Sequence, residues 1–427
     1  MENRQITTYQ IDDLLITPEN QGADHYAKIS YPFRYGRFSE IKSGNYTFQF
    51  NLNGEIKTIQ GRGEGWLDAS EWLKRTAGND WVYFAAGGYT GAFDFTGEYY
   101  VPCLPYDSNG IFGQNRFESQ EVIRAFEMWD DLRRRLTALE TSRLPAPVKG
   151  LIRRITDMNE ETLDLRARLL HDIIGGPVSV LPPDARHVEY DVIPLTIADG
   201  CLYNYGFFRV KSGNGFKTRK KNDIIRQLHD LRDLYGDDRF NYHSLFLGQH
   251  DALFAGADLI EFAARQAFEI LEFGRSFMKD PKLFLFGSVD ALLRADDALF
   301  ERINALPFES FINIGLESAD PETLKQIEKP LNRKKIIQAF NKMMDVNRRF
   351  PKVEITANFL YGADLPDTHL PSILELARNS LDHFHSKGAI YLSPLENIGS
   401  IPEVKTRLFD LKSLCRLPVF FYLIQRL

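Results

Sequence analysis

From His187 onward the chain alternates short apolar segments with amphipathic ones, and this rhythm limits the available folds more than any other feature. Strand-like runs stand at 192–198, 244–248, 283–287, 311–316, 353–360 and 389–392. Between them apolar residues recur at helical spacing, as in 223–234, 258–271, 334–347 and 371–381. Six strand-then-helix units with strands apolar throughout predict a parallel sheet covered by helices. Right-handed crossovers wind such a sheet into an open barrel or a doubly wound layer, and periodicity does not choose between them. In both, ligands bind at the carboxyl ends of the strands.

The first 186 residues have another texture. Residues 1–118 mix aromatics, glycines and short alternating runs and read as an α+β domain. Tyr46–Gln60 predicts a hairpin turning at Asn53-Gly54, the pair preferred in type I′ turns. Asp68 and Glu71 have capping-box spacing, which predicts a short helix through Trp72 and Leu73. From 119 to 186 the pattern is helical: Val122, Ile123, Phe126, Trp129, Leu132, Leu136 and Leu139 form one stripe. Pro145 and Pro147 interrupt it, and a second helix runs from Val148 to about Ile174, ended by Gly175-Gly176-Pro177. The expected division is therefore an accessory domain over 1–118, a helical connector over 119–186 and a β/α unit over 187–427.

The strand ends carry the chemistry. The first strand runs into Cys201, with Tyr205 and Phe208 following at the spacing x3 and x2. The second ends in Leu247-Gly248-Gln249-His250-Asp251, and the fourth in Gly315-Leu316-Glu317-Ser318-Ala319. Asn358–Gly362 and Tyr391–Pro394 end the fifth and sixth. Taken in order, these motifs resemble the radical SAM superfamily, whose first strand leads into C-x3-C-x2-C. The resemblance implies a partial (β/α)6 barrel and a 4Fe-4S cluster held by three thiolates, with S-adenosylmethionine on the fourth iron. This sequence departs from that pattern at two of three ligands. Phe208 has no donor atom, and the hard phenol oxygen of Tyr205 substitutes poorly for thiolate on a sulfide cluster. The expectation is no metal at Cys201, Tyr205 and Phe208, and a clusterless pseudoenzyme that still binds S-adenosylmethionine or another small molecule weakly. An active radical SAM enzyme with an unorthodox cluster and a structural, protein-binding chain are the alternatives.

The cofactor-binding candidates are Gln249, His250, Asp251, Glu317 and Ser318. For the first three, capping of the next helix is the competing role. Glu317 is an ionisable group ending an apolar strand, so it needs a partner, while Asp320-Pro321-Glu322 reads as a helix start. Other signals are weaker. Cys103 and Cys415 lie in no ligand-spaced motif, and His383 and His385 lack a third ligand. Gly61–Gly65 lacks the lysine of a phosphate loop, and the basic stretch Lys211–Lys221 reads as a solvated loop. A net charge of −6 disfavours nucleic-acid or anionic-membrane partners, and no apolar run reaches membrane-spanning length. The N-terminus MENRQITTYQ is unlike a signal peptide, so a cytoplasmic chain is expected.

Overall fold

The computed structural model describes residues 6–27, 34–86, 91–99, 101–104, 115–200, 215–248, 251–379 and 387–427. The N-terminal part is a meander of eight antiparallel strands paired in chain order. They are β1 (Tyr9–Ile11), β2 (Leu14–Gln21), β3 (Arg37–Ser43), β4 (Tyr46–Phe50), β5 (Ile56–Gly61), β6 (Trp72–Arg75), β7 (Trp81–Ala85) and β8 (Val101–Cys103). A six-residue helix α1 (Gly91–Thr96) lies between the last two.

Two local expectations fail here. The predicted helix at Asp68–Leu73 is strand β6: the Asp68 carboxylate closes a turn onto Ser70 N (2.8 Å), and Glu71 turns inward instead of capping. Glu71 accepts from Tyr83 Oη (2.5 Å) and Ala86 N (2.8 Å), so it is a cross-strand anchor. The β4–β5 turn is also not type I′. Gly54 N donates to Asn51 O (3.0 Å), which puts Asn53-Gly54 at its third and fourth positions, and of the two only Gly54 has positive φ. The Asn51 side chain fixes this shape by accepting from Asn53 N (3.0 Å) and Glu55 N (2.9 Å).

Helices α2 (Gln120–Ala138), α3 (Ala146–Asp157) and α4 (Glu160–Ile174) follow. The sequence read the last two as one helix, but Asn159 caps a new start by accepting from Thr162 N. On α2 the buried stripe is Val122, Ala125, Trp129, Leu132 and Leu136, with Ile123 outside it. Trp129 packs on Phe48 and Phe50, so α2 and α3 complete the core of the antiparallel sheet. Helix α4 bridges two cores: Leu163 joins this one, Leu170 and Ile174 the next.

The second core surrounds a seven-stranded parallel sheet. Its strands are β9 (Ile193–Leu195), β12 (Ser244–Leu247), β13 (Lys282–Gly287), β14 (Glu309–Glu317), β15 (Val353–Tyr361), β16 (Ile390–Pro394) and β17 (Val419–Phe421). A small antiparallel pair, β10 (Ala198–Asp199) and β11 (Lys217–Thr218), follows β9. The helices are α5 (Lys221–Tyr235), α6 (Ala257–Ile270), α7 (Val289–Arg294), α8 (Asp297–Asn304), α9 (Pro321–Gln326), α10 (Arg333–Arg349), α11 (His369–Asn379) and α12 (Ile401–Leu414). Strands lie side by side in chain order, β9-β12-β13-β14-β15-β16-β17, all parallel. That order excludes one of the two architectures periodicity left open, the doubly wound layer. A doubly wound layer reverses direction at a switch point, and this sheet never does. The seventh strand, β17, is three residues long and was not foreseen.

Strand register sorts the side chains into two faces. Leu283, Leu285, Ile312, Ile314, Ile355 and Ala357 make one face, aliphatic and buried. The other carries Phe284, Phe286, Phe311, Asn313, Thr356 and Tyr391. The 3-10 turn Pro183–Val188 docks on the amino-terminal half of this aromatic and polar face. Asp184, 1% exposed, accepts from Thr356 Oγ1 (2.6 Å) and Tyr391 Oη (2.8 Å). Thr356 in turn accepts from Asn313 (3.0 Å), and His187 stacks on Phe311 at 4.9 Å. A buried carboxylate is tolerated because its oxygens are bonded.

Candidate ligand site at the carboxyl edge of the parallel sheet

The segment from Cys201 through Phe208 lies outside the described residues, as do Gln249, His250, Lys211, His383 and His385. The loop's anchor points are described. Strands β10 and β11 pair Ala198 with Thr218 and Asp199 with Lys217. Arg219 ties both ends down: its N donates to Ile197 O (2.9 Å), and its guanidinium binds Asp199 (2.7 and 3.0 Å) and Ile174 O (3.0 Å). Part of the basic stretch is thus committed to holding the loop's stem.

The donor set does not fit a 4Fe-4S cluster. The three motif positions offer one thiol, and the chain has two further cysteines. Cys103 is on β8 of the antiparallel sheet. Cys415 caps α12 and precedes β17, which places it at the amino edge of the parallel sheet, opposite the strand ends. Burial pushes the Cys103 thiol up to about 12 and raises Cys415. Neither stands at the strand ends where the motif loop begins.

Asp251 behaves differently from a cap. It precedes a 3-10 turn to which its side chain makes no capping bond. Its Oδ1 instead accepts from Ser288 N (3.0 Å) at the end of β13, bracing two strand ends. Its Oδ2 is buried and has no partner among the described residues. Burial raises its pKa, and the Ser288 bond works against that rise. This is a buried carboxyl oxygen at a strand terminus whose acceptor capacity is unused among the described residues.

Glu317 found its partner within the chain. It adopts φ +63° at a bulge where β14 leaves register with β15. Its Oε1 accepts from Lys329 Nζ (3.1 Å), which also donates to Gly315 O (2.7 Å). Glu317 and Lys329 are 3% and 6% exposed, and burial lowers the lysine's pKa against the pull of Glu317. Glycine at 315 is required, because a Cβ there would stand 2.5 Å from the Glu317 carboxylate. The expected ligand contact is therefore an internal ion pair in this state.

Ser318 is fully buried and bonded to His369 Nδ1 (2.8 Å), while His369 Nε2 bonds Leu360 O (2.8 Å). A carbonyl only accepts, so Nε2 carries the proton and the Ser318 hydroxyl donates to Nδ1. Burial lowers the His369 pKa, which keeps the ring neutral. The pair has the bonding of a nucleophile and base without a solvent route, and it fixes the start of α9, where Asp320 caps Thr323 N (2.8 Å). The carboxyl half of the aromatic and polar face also presents Asn358, whose Oδ1 accepts from Ser393 Oγ (3.0 Å). Both lie in the strand-end motifs of the fifth and sixth strands but were not named as ligand candidates; strand parity with Gly315 places them on this face. Lys329 had no sequence signal beyond being a lysine.

Open clefts lie elsewhere, between the antiparallel sheet and the amino edge of the parallel one. Among the described residues no helix is long and apolar enough to cross a membrane, and no cluster of metal-ligating side chains occurs.

No family model matches the chain, and no curated protein matches it. Solved structures do. A radical SAM methyltransferase from Sphaerobacter thermophilus aligns at a TM-score of 0.36 with 11% identity, covering 54% of this chain and 66% of that one. The cobalamin-dependent S-adenosylmethionine radical enzyme OxsB with aqua-cobalamin bound aligns at 0.32 with 16% identity, covering 52% of this chain and 30% of that one. The chain thus matches about two thirds of the first structure's length and under a third of the second's. The strand order, and not these likenesses, defines the fold described above.

Proposed function

We propose that this chain is a radical-SAM-like protein that has lost the iron–sulfur cluster and keeps a weak small-molecule site at the carboxyl edge of its parallel sheet. The reading that it is a pseudoenzyme follows from the ligand positions: Cys201, Tyr205 and Phe208 supply one thiolate where a cubane needs three. The observation that carries the ligand site is the buried Oδ2 of Asp251, which has no partner among the described residues. A carboxylate accepts from an ammonium, and S-adenosylmethionine brings one on its amino acid end. Without iron to chelate that amine and carboxylate, binding rests on hydrogen bonds, and a Kd of about 1 mM is the natural scale.

Calorimetry with S-adenosylmethionine tests this. Weak saturable heat is expected in the parent and none in Asp251→Asn, which keeps the shape and removes the charge. No heat at about ten times that concentration would favour the structural, protein-binding alternative. That alternative has its own support, because Lys329 already satisfies Glu317.

A further inference from the structure

A cleft lies between β5, β6, α4 and α5, at the amino edge of the parallel sheet. Tyr235, the last residue of α5, lines it, is 6% exposed, and its hydroxyl has no partner among the described residues. Burial, together with nearby Tyr242, Glu55 and Asp238, keeps the phenol well above its usual range, so it remains an O–H donor. Leaving such a group unpaired costs free energy, and native structures rarely do so without cause.

The remaining polar groups decide what could satisfy it. The acceptors of the cleft are used. Glu55 takes Arg75 Nη2 (2.5 Å) on one oxygen and Arg166 Nε (3.0 Å) and Nη2 (2.9 Å) on the other. Asp238 takes Asn51 Nδ2 (3.1 Å) on Oδ2, and Asn241 Nδ2 (2.6 Å) and Leu52 N (3.4 Å) on Oδ1. The donors are in surplus. Arg166 spends Nε and Nη2 on Glu55 and Leu234 O, and Nη1 has no acceptor among the described residues. Lys57 has one carboxylate, Asp191 at 3.3 Å, for three protons, and holds its charge because Asp191 and Asp238 outweigh the cost of burial. With Asp191 counted as the partner of Lys57, three cations (Lys57, Arg75, Arg166) face three carboxylates (Glu55, Asp238, Asp191), so the surplus in the cleft is one of hydrogen-bond donors and not of charge.

We infer that this cleft binds a small oxyanion, carboxylate or phosphate, to which Tyr235 Oη, Arg166 Nη1 and Lys57 Nζ donate. An acceptor-only ligand completes the hydrogen bonds of these donors, and charge-assisted bonds to Arg166 and Lys57 favour an anionic one; a cation or a donor does not complete them. The site uses no residue of the carboxyl edge and stands or falls independently of the S-adenosylmethionine reading.

The test is thermal melting of the full chain with sodium acetate or inorganic phosphate, against sodium chloride at matched ionic strength, for the parent, Tyr235→Phe and Lys57→Met. A saturable rise in Tm with either anion is expected, at least about tenfold weaker in apparent affinity for Tyr235→Phe, which deletes only the hydroxyl. Acetate and phosphate arms separate the two sources of the oxyanion. Without anion, Tyr235→Phe should melt no lower than the parent, since it removes an unsatisfied group. An equal rise in parent and Tyr235→Phe, no saturable rise in the parent, or a lower anion-free Tm for Tyr235→Phe (the mark of a water completing the phenol) would each overturn the inference. Lys57→Met supplies an independent reading should Tyr235→Phe fail to fold, with the same weakening expected.

Discussion

Replacing Lys329 by methionine tests the ion pair that now occupies the end of β14. The lysine and Glu317 are 6% and 3% exposed, 3.1 Å apart, and no water-facing route relieves either. Methionine keeps the aliphatic stem and removes the charge, leaving a buried carboxylate without its partner. Breaking a buried pair from one side costs about 3–5 kcal/mol, and the lost bond to Gly315 O places the effect toward the upper part of that range. Adding Glu317→Gln should recover much of the loss, and the double-mutant cycle should return a coupling of about 2 kcal/mol or more. Urea unfolding at neutral pH measures both quantities. A cost below about 1 kcal/mol for Lys329→Met, or no coupling in the cycle, would refute the assignment of Glu317 to Lys329.

Two further perturbations probe the frame around the sites. Burial and the nearby Lys282 charge depress the His243 pKa to about 4, so the unfolded chain takes up a proton near pH 6.5 while the fold does not. Stability should fall by up to about 3 kcal/mol between pH 6.5 and 4, and His243→Phe should flatten that slope in acid unfolding curves. Gly54→Ala should cost about 2 kcal/mol or more by chemical denaturation, because φ is +90° there and the new methyl would lie 2.6 Å from the Arg154 backbone.

What the sequence disclosed and what it withheld divide along physical lines. All six buried strands of the β/α half were legible, because a parallel strand covered on both faces is a run of apolar residues. β17 was missed since three residues, Val419–Phe421, carry no period. The helix expected at Asp68 failed because an Asp with Ser two residues on makes a local turn as readily as a cap. The break between α3 and α4 was hidden by apolar spacing that runs on through Asn159. At the candidate site, the roles of Asp251 and Glu317 turned on contacts with Ser288 and Lys329, 37 and 12 residues away. Local spacing cannot encode such partners. Tyr235 gave no signal at all, since a tyrosine ending a helix looks like core until its hydroxyl is found unpaired.

On the function proposed, the Cys201 loop is a radical-SAM-type cluster site that has lost two ligands. Iron analysis after anaerobic reconstitution with iron and sulfide tests it most directly, run side by side on the parent and on Tyr205→Cys with Phe208→Cys. The double substitution restores three thiolates from one loop whose stem β10, β11 and Arg219 already hold. The parent should retain no stoichiometric iron, and the double variant should take up about four irons per chain and melt higher when loaded than when apo. Near four irons in the parent, or none in a folded double variant, would contradict it.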